Sequence, residues 1–250
     1  MPAIDSASTK PAAAIGVDGC PAGWVWIGRI EGRWQAGIAE HLDDLAALLD
    51  GAVPALIDMP IGLVNSGPDE RACDVAARAL LRRPRASSVF RPPCRAALAA
   101  ADYAGACAVN RRHTGVALSV QTWNILPKIR QLDNLLQRRP GLRGRLREAH
   151  PEVCLHALAG GRGMAHNKRT ADGRRERREL LRRLAPDALE AADGLLAATP
   201  RRRLAADDAI DAAALAVTAA LLATRPVRTL PAVPARDALG LPMEMVYVTP

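Results

Sequence analysis

Short apolar runs separated by turn residues fill the first sixty positions of the chain. The apolar runs cover residues 14–18, 24–30, 34–40 and 53–58, and leucines at helical spacing cover 42–49. The first two runs flank the turn sequence GCPAG, and Gly32 marks the next turn. This spacing predicts three antiparallel strands, a helix and a fourth strand, in the order β-β-β-α-β.

Helical periodicity dominates the remainder of the chain. The pattern predicts a large helical insertion at about 65–148, in which Pro127 is expected to kink or restart its helix. A helix rich in alanine and leucine is predicted over 204–223, and the run MEMVYV predicts a last strand. The predicted fold class is α/β, a mixed sheet of three antiparallel strands and then parallel strands, flanked by helices. We expect one domain over 14–250 after a disordered tail over 1–13.

An aspartate ends two of the predicted neighbouring strands. Asp18 interrupts the first apolar run before the turn, and Asp58 ends the fourth run. Carboxylates at the ends of adjacent strands meet at one sheet edge and repel each other unless a cation neutralises them. Hard oxygen ligands of this kind suit Mg²⁺ or Mn²⁺, and two such ions can activate water and stabilise a leaving oxygen in phosphodiester cleavage. Each aspartate alone also fits a turn or a strand-end cap.

The predicted helix over 204–223 supplies further carboxylates near its start. Asp208 and Asp211 are three residues apart and share one helix face, and Asp207 can share a face with Asp211 instead. Capping and the helix dipole account for Asp207 and Asp208, but less well for Asp211, which lies among alanines expected to pack. The sequence therefore predicts a catalytic metal site with the ligands Asp18, Asp58, Asp208 and Asp211.

Glu152 is a further candidate for the same chemistry. It follows His150 and Pro151 in the sequence AHPEVC. Proline at a first helical position followed by glutamate is typical of a helix start, which is the structural explanation. The functional one makes Glu152 a catalytic residue or an additional ligand, and His150 a proton-transfer group or a partner of a ligand.

The net charge of the chain indicates which class of binding partner to expect. The 250 residues carry a formal charge of +8, which favours polyanions such as nucleic acid or nucleotides, although arginine is abundant everywhere. The five cysteines lack C-x-x-C spacing, so neither a disulfide framework nor a zinc site is predicted. The sequence shows no secretory signal and no apolar run of about 18 residues, so a cytoplasmic location without a membrane span is expected.

Several long motifs together resemble the DUF429 family, whose members are described as predicted RNase H-like nucleases. They are GVDGCPAGW, IDMPIGL, SSVFRPPCRAAL, HPEVCLHALAGG and DDAIDAAALAVTAA. The resemblance implies a ribonuclease H-like fold. It matches Asp18 to the aspartate of the first strand and Asp58 to the acidic residue of the fourth. It also matches Asp208 and Asp211 to the D-x-x-D-A pattern of RuvC-type resolvases, and places Glu152 in the family's H-P-E motif.

Basic and polar side chains of the insertion and of the loop after it are candidates for holding substrate. Those predicted to bind substrate are Arg91, Gln121, Lys128 and Lys168, with Arg169 beside the last. For Gln121 and Lys128, a position on a polar helix face is about as good an explanation as substrate binding. Core packing is the favoured explanation for Trp123, and the run of arginines over 174–178 is interpreted as a solvated helix face.

Three functions remain open from the sequence. The first is a nuclease that holds Mg²⁺ or Mn²⁺ with carboxylates and hydrolyses phosphodiester bonds of RNA or DNA. The second is a nucleotide-binding phosphotransferase or ATPase of the actin-like core type, because the first strand ends in a similar Asp-Gly turn, although Pro21 removes one N–H donor from it. The third is a non-catalytic nucleic-acid-binding module.

Overall fold

A computed structural model describes residues 13–249 of the chain. The strands are β1 (Ala13–Cys20), β2 (Gly23–Ile30), β3 (Arg33–Ala39), β4 (Ala52–Ile57), β5 (Leu146–Glu148), β6 (Val227–Arg236) and β7 (Pro242–Val248). The helices are α1 (Ala46–Gly51), α2 (Ala72–Arg85), α3 (Tyr103–Thr114), α4 (Val120–Arg138), α5 (Pro151–Leu158), α6 (Ala171–Leu184), α7 (Pro186–Ala198) and α8 (Ala206–Leu221).

The central sheet has five strands in the order β3-β2-β1-β4-β5. β1 pairs antiparallel with β2, and β2 pairs antiparallel with β3. β4 pairs parallel with β1, and β5 pairs parallel with β4. The structure thus confirms the predicted ribonuclease H-like fold class, with three antiparallel strands followed by parallel strands and with helices on both faces of the sheet.

Helix α8 lies directly against β1, and Gly16 makes this close approach possible. A Cβ atom added at Gly16 would lie 2.3 Å from both the carbonyl oxygen of Ala212 and the amide nitrogen of Ala216. Because side chains alternate along a strand, Ala14 and Asp18 share the Gly16 face. Ala14 packs with the later part of α8, so Asp18 faces its N-terminal part.

The opposite face of β1 packs on the helical insertion. Ile15 and Val17 belong to a core that includes Leu126 and Ile129 of α4. α4 continues as one helix through Pro127, so the predicted restart at this proline is wrong. Pro127 is exposed, and burial of the apolar side chains beside it, about 1.5–3 kcal/mol each, offsets a proline penalty of about 3 kcal/mol.

Some elements carry no clear sequence signal. β5 has three residues and lies at the end of the range predicted as a helical insertion. β6 contains two prolines, and it pairs only with β7, the predicted last strand, in a separate two-stranded sheet. The predicted tail over 1–13 lies outside the described residues, apart from Ala13, which begins β1.

No helix within residues 13–249 combines the length and the apolar character that crossing a bilayer requires.

We expect Gly16→Ala to lower the free energy of unfolding by at least about 2 kcal/mol, because the new methyl group meets the backbone of α8 rather than a movable side chain. Gly194→Ala is the matched control, since Gly194 lies within α7 with open space around its Cα, and there alanine is expected to be neutral or stabilising. Urea unfolding measures both. An unchanged midpoint for Gly16→Ala would contradict the close contact of α8 with β1.

Candidate metal centre

Three aspartates from three elements converge at the carboxyl ends of β1 and β4. Asp18 lies near the end of β1, Asp58 directly follows β4, and Asp211 lies in the second turn of α8. Each offers one carboxylate oxygen, and these three oxygens lie within 4.8 Å of one another. Parallel pairing sets the first two side by side, since the Asp58 N–H donates to the Val17 carbonyl at 3.0 Å. The structure therefore brings together three of the four predicted ligands.

Burial raises the pKa of all three carboxyl groups, and the charge of at least one neighbouring carboxylate raises each of them further. Burial is the largest cause for Asp18, whose pKa is raised well above its usual value, and the charge of Asp58 adds to it. Burial also raises the pKa of Asp58, and it raises the pKa of Asp211 to about 6. Two unit charges at about 4 Å repel each other by about 4 kcal/mol at an effective dielectric constant near 20. The cluster therefore needs positive charge to remain ionised.

Lys168 supplies one such charge. Its Nζ donates to Asp211 Oδ2 at 2.5 Å, and its charge lowers the pKa values of Asp18 and Asp58 against the effect of burial. These carboxylates in turn hold the pKa of Lys168 well above its usual range. Lys168 is predicted as a substrate contact, but its ammonium lies among the carboxylates of the three aspartates.

Glu152 lies beside the three aspartates and has a charge partner of its own. Its Oε1 accepts a hydrogen bond from Arg177 Nη2, and both side chains are buried. Arg177 is only 1% exposed, so the interpretation of residues 174–178 as a solvated face is wrong for this arginine. Helical periodicity alone gave no signal for it, because every residue of this run except Glu176 is an arginine.

Two buried carboxylate oxygens in this region have no hydrogen-bond partner within residues 13–249. They are Asp211 Oδ1 and Glu152 Oε2. An unpaired buried acceptor costs about 1–3 kcal/mol or more when it is charged, so native structures rarely retain one without a reason. The atoms that could coordinate a metal ion here are all carboxylate oxygens, which are the ligands that Mg²⁺ and Mn²⁺ prefer. The residues present therefore fit one of these ions.

Asp208 stays outside the group of three. It is half-buried, and burial and the charge of Asp207 raise its pKa to about 7. Its charge acts on Asp18, which places it near the site. Of the two aspartates that the sequence offers on α8, Asp211 is the one whose carboxylate meets Asp18 and Asp58, while the role of Asp208 as a ligand stays a prediction.

His150 caps helix α5 next to this site. Its Nδ1 accepts a hydrogen bond from the Glu152 N–H at 3.2 Å, so the proton belongs on Nε2, which lies 3.3 Å from the Ser88 carbonyl. This arrangement ties the start of α5 to the loop after α2. Both ring nitrogens of His150 are therefore used structurally.

In a second group of possible metal ligands, an arginine side chain already pairs with the carboxylates. Cys73, Asp74 and Glu148 lie close together, but the Arg71 guanidinium pairs with both carboxylates at 2.6 and 2.8 Å. Arg71 also donates to the Ile61 carbonyl, and Glu148 accepts the Ile61 N–H. These buried contacts fix the segment that follows Asp58.

Lys128 is bound to the turn between β1 and β2. Its Nζ donates to the carbonyls of Cys20 and Gly23 at 3.1 and 2.5 Å and lies 5.1 Å from the centroid of the Trp24 ring. Burial lowers its pKa. Gly19 is in close contact with its stem, since a Cβ there would lie 2.7 Å from Lys128 Cδ. The structure thus shows a stabilising role for the predicted substrate-binding Lys128.

The three aspartates line a cavity of about 530 Å³. Its lining includes the predicted substrate-binding residues Arg91, Gln121, Lys128 and Lys168, and also Arg85, Phe90, Glu152, Asn167 and Arg169. Arg91 donates to the Pro68 carbonyl at 2.9 Å, and Gln121 is exposed. Trp123 is absent from this lining and packs against Tyr103 with ring centroids 5.9 Å apart, as the packing explanation predicts.

Most of the chain, including the three aspartates, matches the model of a protein family. The family model described as "Protein of unknown function (DUF429)" matches residues 16–236. The chain is a member of DUF429. The matched range contains all the predicted site residues of this DUF429 protein, from Asp18 to Asp211. No curated protein and no solved structure matches the chain.

We expect Arg177→Met to lower the free energy of unfolding by about 3–5 kcal/mol, because it leaves the buried Glu152 carboxylate unpaired. Arg175→Met is the matched control, since Arg175 is exposed on the same helix and should change stability by less than about 0.5 kcal/mol. Adding Glu152→Gln to Arg177→Met should restore part of the loss in urea unfolding. Equal stability of Arg177→Met and Arg175→Met would contradict the buried pair.

We expect the affinity for Mn²⁺ to fall about tenfold between pH 8 and pH 5 from Asp211 alone. A ligand carboxylate must be deprotonated, and a group with a pKa of about 6 is mostly protonated at pH 5 and ionised at pH 8. The raised pKa values of Asp18 and Asp58 act in the same direction. Isothermal titration calorimetry at several pH values measures the effect, and Asp211→Asn should bind more weakly with a shallower pH dependence. An affinity that is constant over this range would refute the raised pKa values.

Proposed function

We propose that this DUF429 protein is a nuclease that uses Mg²⁺ or Mn²⁺ to hydrolyse phosphodiester bonds of nucleic acid. The observation that carries this proposal is the convergence of Asp18, Asp58 and Asp211 with two buried carboxylate oxygens that lack partners. Such a group is costly to keep in a folded protein, and binding a hard divalent cation relieves that cost. Arg85, Arg91 and Arg169 line the same cavity, and their positive charges would attract an anionic substrate.

Each group of the site has a role in this reaction. Asp18, Asp58 and Asp211 would hold the metal, which when bound activates water and stabilises charge on the phosphate. The oxygen of the attacking water forms a bond to phosphorus while the bond from phosphorus to the leaving oxygen breaks. Glu152 Oε2, which has no hydrogen-bond partner among the described residues, would take the proton of the water, and the leaving oxygen would gain a proton from solvent.

The walls of the cavity suit a nucleic-acid strand. Arg91 and Arg169 can contact phosphates without reading the sequence. Phe90, the only phenylalanine of the chain, is 41% exposed beside them and offers a face on which a base can stack. All five cysteines are free thiols, which supports a reducing, cytoplasmic location.

The phosphotransferase alternative finds less support in the turn between β1 and β2. A phosphate loop needs backbone N–H groups that point at the ligand. Here the Gly19 N–H donates to Asp18 Oδ1 at 2.6 Å, and the Ala22 N–H donates to the Arg203 carbonyl at 3.0 Å. The ammonium of Lys128 covers two carbonyls of the same turn. A binding module without catalysis would gain nothing from the buried, unpartnered oxygens.

The proposal is tested by cleavage of labelled RNA and DNA single strands, duplexes, a hybrid and a four-way junction, with Mg²⁺, Mn²⁺ or EDTA. We expect metal-dependent cleavage that falls about 100-fold or more in Asp18→Asn and in Asp211→Asn, because each removes a charge that would hold the metal. Asp43→Asn is the matched control, since Asp43 is exposed and pairs with Arg138 away from the site.

Cleavage that persists in EDTA, or that Asp18→Asn and Asp43→Asn affect equally, would refute the metal-dependent nuclease. Binding of the panel without any cleavage by the folded protein would favour the binding module. Binding of ATP without binding of the panel would favour the phosphotransferase.

A further inference from the structure

The ammonium of Lys168 lies against the carboxylates of the candidate metal centre. It donates to Asp211 Oδ2, and its charge acts on Asp18 and Asp58. The side chain is one-third exposed, whereas the Asp211 carboxylate that it meets is 1% exposed. A lysine that served only to hold substrate would keep its ammonium free for the substrate. This ammonium is bound by the protein itself.

The loop that carries Lys168 is held in place by helix α6. Glu176 accepts hydrogen bonds from the N–H groups of Ala165 and His166 at 2.8 and 3.0 Å. Arg177 donates to the His166 carbonyl at 3.1 Å while it pairs with the buried carboxylate of the site. These hydrogen bonds hold the backbone of the loop just before Lys168 against α6, and the hydrogen bond to Asp211 holds the ammonium.

Close backbone packing at the start of α6 adds to this constraint. A Cβ atom at Gly173 would lie 1.9 Å from the carbonyl oxygen of Asn167, so only glycine permits the observed approach. Thr170 caps the helix by accepting the Gly173 N–H at 3.1 Å. Lys168 lies between Asn167 and Thr170, within the segment that these contacts fix.

The charges of the site then balance with a single divalent ion. Asp18, Asp58 and Asp211 bring three negative charges when ionised, and Lys168 removes one, which leaves the charge that one divalent cation neutralises. Glu152 adds none, because Arg177 pairs with it. A second divalent ion would make this site positively charged before any substrate phosphate entered, and its ligands would already be shared with an ammonium.

We infer that Lys168 is a resident second cation and that the site therefore binds one divalent ion per chain. The inference rests on the metal site of the proposed function. An ammonium differs from a metal ion in supplying a single positive charge and N–H donors. In the proposed reaction Lys168 would thus stabilise charge on a phosphate oxygen by donating a hydrogen bond, in the role that a second ion has in two-metal nucleases.

The test is a count of Mn²⁺ ions bound to the full chain, by calorimetry and by the electron paramagnetic resonance signal of unbound Mn²⁺. We expect one ion for wild type and two for Lys168→Met, because the variant frees Asp211 Oδ2 and leaves three uncompensated carboxylates. Lys168→Arg keeps the charge and should bind one ion. Arg169→Met removes a charge from the next residue, which is exposed, and should also bind one.

A double variant covers the case in which Lys168→Met alone does not fold. Asp211→Asn with Lys168→Met removes both members of the pair, leaves no unpaired charge between them, and should again bind one ion to Asp18 and Asp58. Two ions in wild type, or one ion in Lys168→Met with an affinity within twofold of wild type, would overturn the inference. One ion in Lys168→Met with a tenfold higher affinity would also overturn it, because the ammonium would then compete with the ion rather than stand beside it.

Failure of this inference is distinguishable from failure of the proposed function. A wild-type protein that binds Mn²⁺ and cleaves nucleic acid, but whose ion count does not respond to Lys168→Met, overturns the inference alone. A wild-type protein that binds one ion and a Lys168→Met variant that binds two, without cleavage by either, supports the inference and overturns the nuclease. A wild-type protein that binds no Mn²⁺ overturns both.

Discussion

The contact of helix α8 with strand β1 is the constraint on which the rest of this structure depends. Gly16 lets two backbones meet where any side chain would collide with the helix. The alanine-rich sequence of α8 serves the same purpose from the other side, since small side chains allow close packing on the sheet. Once this contact is set, the register follows. The next residue of β1 on the same face is Asp18, and in α8 Asp211 directly precedes Ala212, whose carbonyl oxygen lies against Gly16.

This geometry brings carboxylates together that repel one another, and basic side chains of the surrounding elements reduce that repulsion. The sheet and α8 contribute carboxylates, whereas α6 and the loop before it contribute Lys168 and Arg177. Arg71 does the same for Glu148 beside the segment after Asp58. Lys168 and Arg177 each pair with one carboxylate, and Arg71 pairs with two, so the negative charge that remains is concentrated on the converging oxygens of Asp18, Asp58 and Asp211. The three aspartates therefore carry more negative charge, when ionised, than Lys168 neutralises, and a divalent ion would fit there.

The carboxylates of the site could be predicted from the sequence because strand ends carry a local signal. An aspartate at the end of an apolar run is visible in one line of sequence, and the parallel pairing of two such strands follows from the order of elements. The cations could not be assigned in the same way. Arg177 stands among arginines with the same local pattern, and only tertiary packing buries it. Lys128 and Lys168 were both predicted to hold substrate, but the partners of their ammonium groups, two carbonyls and a carboxylate, come from segments far away in the sequence.

The carboxylates could be predicted and the cations could not, for a physical reason that also applies to α4 and β6. A proline or a basic residue has a preferred local setting, but its final environment is decided by burial energies that sum over many neighbours. Pro127 remains within a helix because the apolar face beside it is buried, and β6 forms despite two prolines because it needs a single partner strand. In the same way, the charge state of the site is a property of the assembled elements. The strands and α8 determine where negative charge collects, and α6 with its preceding loop determines how much of that charge stays unneutralised.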